Sequence, residues 1–201
     1  GDSMSHVTSG PLAACDSRLV LEEACSRAVK EIEGLEFDAT ARQYKWYGRW
    51  MNDWKVPEAA MHSMDPSTFG TADYVIRLKP TDGERILYSR NPDGRPYEIG
   101  VVVSEDGTTF RLVWDSWSSG LGTGLIKELC GGDTLAHLQS VIEKHVGTVK
   151  RDMTIAVLQM SSGDIGMRVA GVEEIRKGEM TRRVELVPTA SKIAQATGGL
   201  R

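Results

Sequence analysis

Two apolar runs, residues 97–103 and 108–114, flank Ser104-Glu105-Asp106-Gly107, and this arrangement constrains the fold more than any other stretch. Two β-prone runs joined by a short turn that ends in glycine fold back as a hairpin. A hairpin alone is marginal in water, so it needs further strands or a helix against its apolar face. Residues 72–79, Ala-Asp-Tyr-Val-Ile-Arg-Leu-Lys, supply a third run with β-branched content and partial alternation. Between this third run and the run at 97–103, residues 80–96 are rich in turn formers, with room for a short strand over 85–89.

Helical periodicity brackets this β region. Over residues 16–33, Leu21, Ala24, Cys25, Ala28 and Ile32 recur at three-to-four spacing. Asp16 is placed to cap the start and Gly34 to end it. A short strand over 5–8 precedes this helix, and residues 35–47 read as another strand. Residues 125–150 read as helix, broken at Gly131-Gly132, with Asp133 or Thr134 capping the second piece. Leu135, Leu138, Val141, Ile142 and His145 line its apolar face. Residues 153–160 and 165–172 read as a last hairpin around residues 161–164. Residues 173–187 alternate in charge and suit an edge strand. Residues 118–124, with three glycines and two serines, read as a mobile connection.

The order β-α-β, a run of strands, α and then strands predicts an α+β fold: a mainly antiparallel sheet with two main helices packed on one face. The organisation read from the chain is an expression scar over 1–3, a single domain over 4–172 with an insertion at 49–70, and a charged extension with a frayed tail over 173–201. The 201 residues carry 40% hydrophobic and 26% charged side chains with a net charge of −4, the balance of a soluble globular protein without a global footprint for duplex DNA. No run of about 18 apolar residues suggests a membrane helix. Three cysteines without Cys-x-x-Cys spacing read as free thiols in a reducing cytoplasm, with Cys25 in the core.

Residues 42–55 hold three of the five tryptophans, Trp46, Trp50 and Trp54, and two of the five tyrosines, Tyr44 and Tyr47. Arg42, Lys45, Arg49 and Lys55 interleave them. Such a cluster serves one of three ends: a core anchor, a protein interface in which Trp, Tyr and Arg are the usual hot spots, or a platform that stacks unpaired bases. The candidate binding set is Tyr44, Trp46, Tyr47, Arg49, Trp50, Trp54 and Trp117.

Catalytic readings find less. His6, Asp73, Arg77 and Asp115 would form a pocket only if the fold converged them. Asp73 and Asp115 could hold a divalent cation only if apposed, and turn-capping is the ordinary role of such residues. His137 and His145 are eight apart, not the four of a helical metal pair. Gly120-Leu-Gly-Thr-Gly124 lacks the Lys-Ser/Thr of a phosphate loop and reads as a connector. No catalytic residue, metal or cofactor is assigned.

Met4-Ser-His-Val-Thr8, Tyr47-Gly48, Ala72-Asp-Tyr-Val-Ile-Arg77, Tyr97-Glu-Ile-Gly100 and Val113-Trp-Asp-Ser-Trp117 together resemble the hypothetical chloroplast reading frame 35 family, domain of unknown function 1257. That family occurs in plastids, cyanobacteria, other bacteria and some phages. The resemblance spans roughly residues 4–168 in order, and this chain departs from it at 49–70, at 80–96 and after 172. It implies a compact α+β fold but no activity, because none is established for the family. Some members are encoded near AAA-type ATPases, which implies an accessory protein with such a partner. The functional expectation is therefore a non-enzymatic binding or adaptor protein that meets a protein partner through the aromatic and basic surface. The alternative is single-stranded nucleic-acid binding through the same surface, and an enzyme comes third.

Overall fold

The computed structural model describes residues 7–47, 70–80, 96–164, 167–174 and 182–188. The chain divides into two compact units, Gly1–Val146 and Gly147–Arg201.

The first unit is an antiparallel sheet with helices. In chain order it contains β1 (Val7–Ser9), β2 (Ala13–Ala14), α1 (Arg18–Glu31), β3 (Leu35–Asp38), β4 (Tyr74–Leu78), β5 (Ile99–Val103), β6 (Thr109–Asp115), α2 (Thr123–Cys130) and the start of α3 (Thr134–Asp164). The spatial order is β1-β6-β5-β4-β3, with β2 also paired to β6. Every pairing is antiparallel. The α+β class with a mainly antiparallel sheet is thus the observed one. The two short strands β1 and β2 divide one sheet edge between them, pairing with opposite ends of β6. Interrupting an edge in this way blunts it against pairing with other chains.

Alternation along the strands separates two faces. Phe37, Tyr74, Ile76, Ile99, Val101, Leu112 and Trp114 share one of them through the register. The helices lie on this face: Tyr74 Oη donates to Glu22 Oε1 on α1 at 2.7 Å, and Lys127 Nζ on α2 sits 5.9 Å from the centre of the Trp114 ring. Leu21, Ala24, Cys25 and Ala28 of α1 are fully buried, as are Ile126 of α2 and Leu138 and Ile142 of α3. Each large apolar side chain so buried contributes about 1.5–3 kcal/mol of transfer free energy. Glu31 on α1 accepts from Lys144 Nζ at 2.6 Å and meets His145 Nε2 at 2.7 Å, which ties α1 to α3.

Several local expectations change. Ser17, not Asp16, caps α1, its side chain accepting from Val20 N; Asp16 takes the left-handed backbone at φ 72°. Gly34 does adopt positive φ, at 104°. The strand expected over 35–47 ends at Asp38, because Asp38 Oδ1 accepts from Thr40 N at 2.9 Å and Ala41 N at 3.0 Å and turns the chain. The break at 131–132 is present, and Asp133 Oδ1 accepts from Ala136 N. The connection at 118–124 is not loose: Thr123 is fully buried, and its hydroxyl donates to Trp117 O at 2.9 Å and Gly120 O at 2.8 Å.

The second unit holds the rest of α3 and a hairpin of β7 (Met167–Glu174) with β8 (Arg182–Pro188). Residues 153–160 are helix, not strand. Met-Thr-Ile-Ala-Val-Leu-Gln-Met carries neither glycine nor proline to stop a helix already running from Thr134. The hairpin therefore forms between the run after α3 and the charged segment expected at the edge. Among the described residues no helix is long and apolar enough to cross a membrane.

Candidate functional site

The face opposite the helices carries the polar groups. Continuing the register sets Val7, Asp115, Glu98, Arg77 and Glu36 side by side across five adjacent chain segments. Glu98 and Asp115 are 3% and 0% exposed. Buried carboxylates need partners, and both have them. Arg77 Nε donates to Glu98 Oε2 at 2.6 Å, and Lys45 N donates to Glu98 Oε1 at 2.7 Å. Asp115 accepts from Tyr47 N at 3.3 Å and Trp117 N at 3.1 Å. The Arg77 guanidinium also meets Asp38 Oδ2 at 2.9 Å and Glu36 Oε1 at 3.7 Å. Burial works against the charge on Arg77, but Glu98 and Asp38 outweigh it and raise its pKa. Asp38 is held well below the usual carboxylate range, first by Thr40 and then by Arg77.

Above this row lies the segment 41–47. Tyr44, Trp46 and Tyr47 are 0%, 6% and 5% exposed and form a cluster with Val7, Val75, Tyr97 and Val113. Gly100 admits the Tyr44 ring, since a Cβ there would lie 2.7 Å from Tyr44 Cδ1. Burial pushes Tyr44 up to about 12, against a lowering influence of the Gly70 backbone. Tyr97 is raised further by burial and then by Asp115, and its hydroxyl meets no hydrogen-bond partner among the described residues. Trp117 is half-buried and packs edge-on to Tyr47, with ring centres 5.4 Å apart.

The same segment forms one foot of the excursion over residues 48–69. Tyr44 N donates to Gly70 O and Ala72 N to Arg42 O, both at 3.0 Å, and Gln43 bridges to Thr71 antiparallel. Gly70, at φ 80°, lies against the Trp46 indole so closely that a Cβ would fall 2.5 Å from Nε1. Both ends of the excursion are therefore fixed at one place on the sheet.

The aromatic stretch thus divides. Tyr44, Trp46 and Tyr47 of the expected binding set are buried and anchor the core cluster. Trp117 is partly accessible. Arg49, Trp50 and Trp54 lie outside the described residues, as does His6. The remaining members of the expected pocket do not converge. Asp73 accepts from Arg18 at 3.0 Å and from Val103 N at 2.8 Å. Arg77 and Asp115 stand two strand spacings apart, about 10 Å, with Glu98 between them. No group of three or more His, Cys, Asp or Glu among the described residues could hold a metal ion. All three cysteines are buried, and burial raises the pKa of each, Cys130 to about 11. Such thiols are poor nucleophiles.

Sequence reasoning missed Glu98, Glu36 and Asp38 as partners of Arg77. The available signal was a charged residue, Glu98, at the head of the apolar run 97–103.

A scan of protein-family models returns no match to the chain, and no curated protein or solved structure matches it.

Proposed function

We propose that this protein is a cytoplasmic, non-enzymatic binding or adaptor protein. It contacts a protein partner through Arg49, Trp50 and Trp54, with Trp117, which packs against Tyr47. The observation that carries this reading is the pairing of the two feet, residues 42–44 with 70–72, over a buried aromatic base. Holding the two ends of a segment together reduces the conformational entropy it loses on binding. Aromatic and arginine side chains on such a segment are the usual anchors of a protein interface.

The resemblance to the hypothetical chloroplast reading frame 35 family belongs to the same proposal. Tyr47, Arg77, Glu98, Gly100 and Asp115 all sit in segments on which that resemblance rests, and all five are framework residues at the sheet face opposite the helices. A shared fold would need them there. The family association nominates an AAA-type ATPase as the first partner to try.

The test is the double substitution Trp50→Ala, Trp54→Ala. It should abolish capture of the partner while far-UV dichroism is retained. Loss of folding would assign both side chains to the core and end the reading.

A further inference from the structure

The edge of the sheet formed by β3 presents a second surface, separate in sequence from the excursion. We propose that it receives an extended segment of a partner protein that carries a lysine or arginine. β3 pairs with β4 on one side, and among the described residues no strand pairs with its other side. Lys79 N donates to Gly34 O at 2.8 Å. In the alternating antiparallel pattern, Glu36 and Asp38 therefore direct their backbone groups at β4, while Phe37 directs its N–H and C=O outward. Among the described residues nothing bonds either group.

Beside that edge lies a cleft of about 300 Å³ between α1 and β3, lined by Leu19, Glu22, Glu23, Ser26, Phe37 and Ala39. Leu19 is 66% exposed, so the cleft has an apolar wall facing solvent. It has two carboxylates and no cation in its lining. Among the described residues Glu22 accepts only from the neutral Tyr74 hydroxyl. Glu23 meets Arg27 in an exposed i,i+4 pair at 3.0 Å, and such pairs are weak and easily exchanged. The neighbouring Glu36 and Asp38 add two further acids at the same edge, both met by Arg77, while Arg42 donates to Ala39 O at 2.8 Å beside the cleft.

A basic side chain fits this combination. Its aliphatic stem would lie along Leu19 and Phe37 while its charged head reaches Glu22 and Glu23. Main-chain bonds to Phe37 would give register, and the cleft would choose the side chain, as in other strand additions.

The probe is the blocked peptide Ac-Thr-Val-Lys-Val-Thr-NH2, titrated to about 2 mM, a range suited to weak binding, against the isotope-labelled full chain. The expected result is saturable amide shifts over residues 35–39 and 19–26. Glu22→Gln, Glu23→Gln should weaken binding at least about fivefold. Replacing the peptide lysine by norleucine, or N-methylating its backbone nitrogen, which faces Phe37 O in an antiparallel pairing, should do the same without touching the protein's fold. Absence of saturable shifts, or binding indifferent to all three changes, would overturn the proposal. Shifts at β3 that grow with protein concentration in the absence of peptide would also overturn it, because a second copy would then hold the edge.

Discussion

Arg77 donates to Glu98 at 2.6 Å across neighbouring strands 21 residues apart in sequence. Glu98 also receives the Lys45 amide, so one carboxylate joins the sheet to the segment that anchors the excursion. Removing the charge on Glu98 weakens a charge-assisted bond in the interior, while Arg77 keeps Asp38 at 2.9 Å and is not left uncompensated.

Glu98→Gln should therefore destabilise the fold by about 1.5–3 kcal/mol, the range for a lost charge-assisted bond. Glu36→Gln, which loses a 3.7 Å contact at a more exposed carboxylate, should cost less than about 1 kcal/mol. Urea unfolding midpoints of the two variants measure the difference. Equal shifts would remove the distinction between the buried and the exposed partner.

The depressed pKa of Asp38 sets the direction of an acid response. A carboxyl whose folded pKa lies below its unfolded value near 3.9 adds stability above that value, and the contribution is lost as pH falls through the folded pKa. Unfolding free energy should drop below about pH 4, and Asp38→Asn should make the drop shallower. Chemical denaturation at pH 7 and at the lowest pH that keeps the chain soluble gives the comparison.

Gly100 and Gly124 form a contrasting pair. A Cβ at Gly100 would meet Tyr44 at 2.7 Å and Val113 at 2.9 Å, whereas one at Gly124 would meet nothing within 4 Å. Gly100→Ala should cost about 1–3 kcal/mol by overpacking. Gly124→Ala, inside α2, should be neutral or stabilising by up to about 1 kcal/mol. Thermal melts of both variants test whether Tyr44 is seated on the sheet as described.

Local signals were legible and long-range ones were not. The α1 stripe from Leu21 to Ala28 and the turn 104–107 are set by neighbours in sequence, so periodicity and turn chemistry reveal them. Residues 153–160 mix β-branched, Met and Leu residues in a short apolar run, which suits a strand as well as a helix continued from upstream. The row Asp115, Glu98, Arg77 and Glu36 depends on the register of four strands, and no local pattern encodes register. Arg77 and Asp115 stand out in the sequence as possible chemistry for the same reason they serve the framework: they are charged groups in apolar strands. Only their separate partners decide between the two roles.

The most direct measurement is tagged capture from host-type lysate with the wild-type chain and Trp50→Ala, Trp54→Ala side by side, each split into nuclease-treated and untreated halves. The account predicts a discrete protein retained by the wild type after nuclease treatment and lost in the variant. Capture that disappears with nuclease, or that survives in the folded variant, would contradict it.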